Sequence, residues 1–296
     1  MIKVIASDMD GTLLNDDHQL DERTAEAIRL ACREGIRFII TTGRNFYQAM
    51  EQLQGHELNC DYILASGAEV RNADRQIVSR IAMDYGLCKE VQRELRKWPV
   101  SVIFSTDAYD YRLGTAQMVE ESIRQQLKVF HLNMEEEELL KMPVYDRIRK
   151  RTRAIADFDE LEREKIRIYK IFLFSDNIQM LQEIDKALSG NDRIAAAASF
   201  ETNLEITDVR AQKGPVLKTY IESLGCRMEE VMALGDSMND YSMLSMDFGA
   251  TVAVANAMPQ ILDTAKYITK SNQELGVAWA IEHRNSLDTD LIKNRH

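Results

Sequence analysis

Short apolar runs alternate with amphipathic stretches along the first part of the chain. Ile2-Lys3-Val4-Ile5-Ala6 is a β-rich run of the kind that forms a buried parallel strand. Asp21-Glu22-Arg23-Thr24 then opens an amphipathic helix, with Asp21 as its N-cap and Ala25, Ile28, Leu30 and Ala31 on the apolar side. Gly35 ends it. Ile36-Arg37-Phe38-Ile39-Ile40 predicts a second strand closed by Thr41-Thr42-Gly43-Arg44, and residues 45–53 a second helix. Tyr62-Ile63-Leu64-Ala65 is a third strand, leading to Ser66-Gly67-Ala68. This rhythm predicts an α/β fold: a Rossmann-like, doubly wound parallel sheet.

The rhythm then breaks. Glu69-Val70-Arg71 and Gln76-Ile77-Val78 flank Asn72-Ala73-Asp74-Arg75 as a β-hairpin. From residue 84 to 207 helices such as 88–97 mix with strands such as Val100-Ser101-Val102-Ile103-Phe104 and Ile168-Tyr169-Lys170-Ile171-Phe172-Leu173-Phe174. We expect a large α+β cap domain over 84–207, inserted into a core made of 1–83 and 208–296. Glu135-Glu136-Glu137-Glu138 and the basic run 147–153 (Arg147, Arg149, Lys150, Arg151, Arg153) lie inside it. Such runs read as solvated faces, with a partner or substrate contact as the alternative.

After Thr207 the alternation returns. Gly214-Pro215 starts a helix that stops at Gly225, with Lys213 just ahead of it. Val231-Met232-Ala233-Leu234 is a strand ending in Gly235-Asp236-Ser237-Met238-Asn239-Asp240, followed by a short helix over 241–246. Thr251-Val252-Ala253-Val254, a helix from Pro259, Tyr267-Ile268-Thr269 and a helix over 276–283 complete the core, and the polar tail after Asn285 is expected to fray.

Composition narrows the classes. Hydrophobic content of 45% and charged content of 29% describe a globular chain. Its net charge of −11 argues against nucleic acid or an anionic membrane as partner. No apolar run approaches the ~20 residues of a membrane span, and no signal peptide is evident, so a cytoplasmic protein is expected. Cys32, Cys60, Cys88 and Cys226 are scattered without zinc spacing and read as reduced, buried residues; the fourteen methionines read as core filler.

The chemistry gathers at the strand ends. The first carries Asp8 and Asp10, the second Thr42 and Gly43, a later junction Lys213, and the last Asp236, Asn239 and Asp240. An acidic turn alone would account for Asp8-Met9-Asp10-Gly11, a solvated surface for Lys213 and a cap for Thr42. Together, in this order, they suggest more. Converging carboxylates repel unless a cation lies among them, and hard oxygen ligands favour Mg²⁺. With a lysine and helix N-termini added, the set suits a phosphate dianion.

These residues resemble those of the haloacid dehalogenase-like phosphohydrolases, in their Cof-type, sugar-phosphatase-like branch. Asp8-Met9-Asp10-Gly11-Thr12-Leu13-Leu14 is similar to the first family motif, Thr42-Gly43-Arg44 to the second, Lys213-Gly214 to the third and Gly235-Asp236-Ser237-Met238-Asn239-Asp240 to the fourth. Val254-Ala255-Asn256-Ala257 and Leu275-Gly276-Val277-Ala278 resemble the closing pattern. The resemblance spans the whole chain.

It implies a Mg²⁺-dependent phosphatase acting on small phosphorylated metabolites, with sugar phosphates and phosphorylated flavin precursors the leading classes. Asp8 would be the nucleophile and Asp10 the general acid/base. Mg²⁺ would be held by Asp8, the main-chain carbonyl of Asp10 and Asp236, with Asp240 acting through water or the second shell. Thr42, the Gly43 amide, Lys213 and Asn239 would bind the phosphoryl oxygens. Thr12 and Met9 would contact phosphate too, Met9 by its amide alone, so that its side chain should be replaceable. Carbon–halogen cleavage needs no protonated leaving group, so Asp10 favours phosphate esters. The alternatives are a phosphomutase or phosphotransferase using the same phosphoaspartate, and a non-catalytic phosphate-binding protein; a monomer or a homodimer would serve. Ser66, Ala255 and Arg210-Ala211-Gln212 depart from the usual residues without removing a catalytic group.

Overall fold

Val4–Asp8 form strand β1, buried along its length in the middle of a nine-stranded sheet. The computed structural model describes residues 1–131, 134–287 and 292–293. The chain divides into two compact units, Met1–Ile81 with Arg210–His296, and Ala82–Val209.

In the first unit β1 is followed by α1 (Glu22–Arg33), β2 (Arg37–Thr41), α2 (Phe46–Gln52) and β3 (Asp61–Leu64). The hairpin β4 (Glu69–Arg71) and β5 (Ile77–Arg80) follows. Asp21 caps α1 by accepting the Arg23 N–H, and Asn45 forms a reciprocal capping box with Gln48 at the start of α2. Ala25, Ile28 and Ala31 are buried as the periodicity predicts. Leu30 is not: it is 50% exposed, because two positions beyond Ile28 turn it about 200° around the helix.

The second unit contains α3 (Tyr85–Leu95), β6 (Ser101–Ser105), β7 (Asp110–Leu113), α4 (Ala116–Phe130), α5 (Glu136–Leu139) and α6 (Pro143–Arg151). It continues through β8 (Thr152–Ile155), α7 (Asp159–Arg163), β9 (Lys170–Phe174), α8 (Ile178–Leu188), β10 (Ile194–Ala197) and β11 (Asn203–Asp208). Its six strands run in the order β10-β11-β9-β6-β7-β8, antiparallel except for β7 with β8. Leu87, Val91 and Leu95 of α3 and Leu181, Ile184 and Leu188 of α8 share a core with Phe104, Ile171, Leu173 and Ile206 of the sheet. The unit is α+β. Arg147, Arg149, Lys150 and Arg153 are exposed, as a solvated run should be, with Arg153 4.0 Å over the Tyr109 ring.

The chain re-enters the first unit with α9 (Lys213–Ser223), β12 (Val231–Gly235), α10 (Tyr241–Leu244), β13 (Ala250–Ala253), α11 (Pro259–Thr264), β14 (Tyr267–Ile268), α12 (Gly276–Glu282) and β15 (Ile292–Lys293). Helix α9 begins at Lys213 itself, so this lysine is its first residue and not a residue ahead of it. The tail expected to fray lies largely outside the described residues; within it the Ile292–Lys293 backbone pairs antiparallel with β14. All four cysteines are free; Cys60 and Cys88 are buried, and Cys32 and Cys226 are only partly so.

The sheet order is β15-β14-β13-β12-β1-β2-β3-β4-β5, with the six strands from β14 to β3 parallel. Alternate side chains feed two cores. Ile5, Phe38, Ile40, Met232 and Leu234 face α1 and α12, while Val4, Ala6, Ile39, Ile63 and Ala233 face α9, α10 and α11. The chain leaves β1 toward β3 on one side and returns at β12 on the other. The carboxyl ends of β1 and β12 therefore flank the topological switch point, where ligands bind in open α/β sheets.

Candidate active site

Parallel pairing of Ser7 with Leu234 brings the ends of β1 and β12 side by side, and with them Asp8 and Asp236. On the other flank Asp8 pairs with Thr41 at the end of β2. The turn after Asp8 is closed by the Leu14 N–H donating to the Met9 carbonyl at 2.9 Å. Gly11 in this turn has φ +77°, and a Cβ there would stand 2.6 Å from Asp236 Oδ2. Only glycine combines that backbone with that approach.

Lys213 is wholly buried. Its Nζ donates to Asp8 Oδ1 at 2.5 Å, to Asp240 Oδ1 at 2.6 Å and to Asn239 Oδ1 at 3.1 Å. Gly214 makes this depth possible: a Cβ would lie 1.8 Å from the Ser242 carbonyl oxygen, so α9 packs directly against the α10 backbone. Asp240 Oδ2 accepts the amides of Asp236 at 3.0 Å and Ser237 at 3.2 Å, so both Asp240 oxygens are engaged. Asp236 Oδ1 accepts the Thr12 hydroxyl at 2.7 Å.

Carboxylate oxygens of Asp8, Asp236 and Asp240 lie within 4.8 Å of one another. Burial, and then the neighbouring Asp240, push the Asp8 carboxyl well above its usual range and that of Asp236 up to about 7. Burial would lower the Lys213 pKa, but Asp240 and Asp8 outweigh it and hold the ammonium charged. With all three carboxylates ionised, one ammonium leaves two negative charges in excess. Asp10 stands apart from this trio. Its Oδ2 accepts Arg44 Nε at 2.8 Å and its Oδ1 accepts Arg44 Nη2 at 2.7 Å, with His18 Nδ1 3.6 Å away. Burial opposes ionisation, but Arg44 prevails and holds this carboxyl well below the usual range.

The chain matches the family model of the haloacid dehalogenase-like hydrolases over residues 5–281. It belongs to that family. It is similar to 5-amino-6-(5-phospho-D-ribitylamino)uracil phosphatase YcsE of Bacillus subtilis, 31% identical over 282 residues that cover 95% of each chain. Phosphatase YwpJ of the same organism is 29% identical over 288 residues, covering 95% of this chain and 99% of the relative. A solved haloacid dehalogenase-like hydrolase structure from B. subtilis superposes with a TM-score of 0.82 at 27% identity, over 95% of this chain and 99% of the other. The protein is a phosphoric monoester hydrolase of the Cof-type branch, acting on small phosphorylated substrates. Among the described residues no helix is long and apolar enough to cross a membrane.

Within the hydrolase, Thr42 is buried and its hydroxyl accepts the Arg44 amide at 3.1 Å, a capping role. Gly43 follows it at the end of β2. The Thr12 hydroxyl donates to Asp236 Oδ1 and so steadies a carboxylate of the trio. Asn239 gives its amide oxygen to Lys213 and to the Ser237 hydroxyl, which leaves its N–H groups as donors.

Met9 departs from expectation. Its side chain is fully buried in the core with Leu13, Leu14 and Ile28, so it is not freely replaceable. Met9→Ala is expected to lower unfolding free energy by about 2–5 kcal/mol and Met9→Leu by less than about 1.5 kcal/mol. Urea titration checks this, and equal midpoints for Met9→Ala and the parent would contradict it.

Two asparagines hold the turn after Asp8 from a distance. Asn256 Nδ2 donates to the Gly11 carbonyl at 2.8 Å, and Asn272 Nδ2 to the Leu14 carbonyl at 3.1 Å and Asp16 Oδ1 at 3.0 Å. The Asn272 amide in turn donates to Asn256 Oδ1 at 2.8 Å. Asn256 sits in a stretch of the closing pattern; nothing near Asn272 in sequence marks its task.

Proposed function

We propose that the hydrolase cleaves small phosphate monoesters through a phosphoryl group carried on Asp8, with Mg²⁺ bound beside it. The observation that carries this reading is the trio Asp8, Asp236 and Asp240, the first and last of them buried and Asp236 partly so, beside the ammonium of Lys213. A divalent cation makes up their two missing positive charges, and an all-oxygen donor set suits a hard ion. Asp8, Asp236 and the Asp10 carbonyl would hold it, with Asp240 acting through water because its own oxygens are engaged. The cation would supply screening between the nucleophile and an anionic phosphate.

Asp8 attacks phosphorus in line, making a P–O bond as the bond to the leaving alcohol breaks. Asp10 must enter this step protonated, against the pull of Arg44, and gives that alcohol oxygen its proton. Water then attacks the aspartyl phosphate, Asp10 takes its proton, and inorganic phosphate leaves with the Asp8 carboxylate restored. Lys213, Thr42, the Gly43 amide and the Asn239 N–H groups take the charge on the phosphoryl oxygens. The B. subtilis relative named for a phosphorylated ribitylaminouracil supports sugar phosphates and phosphorylated ribityl compounds as the substrate class. The exposed basic run at Arg147, Arg149, Lys150 and Arg153 offers no enclosed second phosphate site, which favours hydrolysis over a mutase reaction.

Purified protein is expected to hydrolyse p-nitrophenyl phosphate in Mg²⁺ and to stop when a chelator is added. Turnover that survives the chelator would remove the metal from the reading. The cation also competes with protons. Without it, the raised Asp236 pKa makes this group cost stability as pH rises from the unfolded value toward about 7. A bound cation removes that cost and needs the ionised form. The rise in melting temperature on adding Mg²⁺ should therefore be larger at pH 8 than at pH 5.5, as differential scanning fluorimetry would read; a larger rise at pH 5.5 would count against the assignment.

A further inference from the structure

We propose that the left-handed arch Ala65-Ser66-Gly67, directly after β3, is a positioning element of the reaction: it fixes where Lys213 stands relative to Thr42. The proposal rests on the function given above, in which both residues take charge from the phosphoryl oxygens.

Three consecutive residues of the arch have positive φ: +49° at Ala65, +61° at Ser66 and +112° at Gly67. Only the last is glycine. Left-handed backbone is unfavourable for a residue with a Cβ, and it persists where the surrounding structure over-determines it. Backbone on two sides does so here. On one side the Ala65 N–H donates to the Arg44 carbonyl at 2.8 Å and the Ser66 N–H to the Thr42 carbonyl at 3.0 Å. Both ends of Thr42-Gly43-Arg44 are thus bound to the arch. On the other side Gly67 lies against the chain entering α9. A Cβ at Gly67 would stand 2.9 Å from the Gln212 nitrogen and carbonyl carbon, and 3.0 Å from the Ala211 carbonyl carbon. These are main-chain atoms, which cannot swing aside as a side chain can.

Gln212 is the N-cap of α9, and its carbonyl accepts the Val216 N–H at 3.1 Å, so it moves with the first helical turn. Lys213 is the next residue, and Gly214 after it presses on the Ser242 carbonyl. The start of α9 is therefore fixed at two backbone contacts, the arch at Gln212 and α10 at Gly214. The Lys213 side chain is closed in on all sides, so a shift of its backbone is carried to Nζ and not absorbed by a new rotamer. One short arch in this way references Lys213 to the loop that carries Thr42 and Gly43.

Four variants test the arch: Gly67→Ala, Ala65→Gly, Gly35→Ala and Lys213→Met. For each, we compare kcat on p-nitrophenyl phosphate, the urea midpoint, and the dissociation constant of inorganic phosphate in saturating Mg²⁺ by calorimetry. That constant does not depend on how much enzyme is folded. Gly67→Ala pushes on the α9 N-cap and should lower kcat about 10²-fold and weaken phosphate about tenfold. Gly35→Ala is the control for strain alone, with φ +87° and nothing within 4 Å of the added Cβ. It should lower the urea midpoint yet keep kcat and phosphate affinity within about twofold of the parent. Ala65→Gly does the reverse. It relaxes a left-handed residue, which offsets the lost methyl group and holds the midpoint, while the slackened arch lowers kcat about fivefold. A purely structural arch would move stability and turnover together. Parental phosphate affinity in Gly67→Ala, equal losses in Gly35→Ala, or parental kcat in Ala65→Gly would each overturn the proposal. If Gly67→Ala does not fold, Ala65→Gly decides. Lys213→Met separates the two levels: phosphate binding equal to the parent's removes the reading beneath, whereas binding lost there but kept in Gly67→Ala removes the arch alone.

Discussion

Asp8→Asn is expected to lower turnover of a chromogenic phosphate ester on the order of 10⁴-fold or more, because the amide is no nucleophile toward phosphorus. The same change should leave the fold unharmed, and in the absence of Mg²⁺ it should not lower stability. Asp8 is buried beside Asp236 and Asp240, with one Lys213 ammonium among the three. Asparagine removes one of the repelling charges while its amide oxygen can still accept from Lys213. Activity and stability should thus move independently, which a merely structural role for Asp8 would not produce. Parallel measurements of turnover and of urea unfolding without Mg²⁺ decide it. A variant that unfolds early would shift Asp8 toward a structural role, and one that keeps turning over would sink the nucleophile.

Lys213→Met is the second large effect, and here both quantities should fall. The side chain has no exposed surface, and Asp8, Asp240 and Asn239 all depend on its Nζ. Methionine fills similar volume but leaves buried carboxylates uncompensated, which costs about 3–5 kcal/mol when one partner of a buried pair is removed. Loss of a positive group beside the transferring phosphoryl should cost at least about 10²-fold in kcat. The cation is the control: Mg²⁺ should recover part of the lost stability by supplying charge to the trio, without restoring turnover. Unfolding curves with and without Mg²⁺, set beside kcat, test this. A variant as stable as the parent in the absence of Mg²⁺ would mean that Lys213 does not balance the carboxylates.

Much of this site was legible because its residues sit where strands stop. Asp8, Thr42 and Asp236 each follow an apolar run, and parallel strands bring such ends to one edge whatever lies between them in sequence. The inserted unit was visible for the opposite reason, since strict alternation of strand and helix gives way to hairpins and mixed elements. Local periodicity could not say what long-range packing decides. Leu30 looked apolar enough to join the core face of α1, but its angular position sends it outward. Lys213 reads as an ordinary surface lysine until Gly214 lets α9 press on Ser242 and carry it inward. Met9 was read as offering its amide alone, with a replaceable side chain, yet that side chain is buried in the core with Leu13, Leu14 and Ile28. Thr12, Arg44 and Asn272 owe their tasks to partners at separations of 224, 34 and 258 residues, which no window along the chain reveals.

The central claim is that a phosphoryl group passes through Asp8. Mixing enzyme, Mg²⁺ and a phosphate ester, quenching in acid within one turnover and mapping the peptides by mass spectrometry tests it most directly. One phosphoryl group on the peptide bearing Asp8, formed at least as fast as turnover and absent in Asp8→Asn, is the predicted result. Turnover with no phosphorylated peptide, or with the phosphoryl group on another residue, would contradict it.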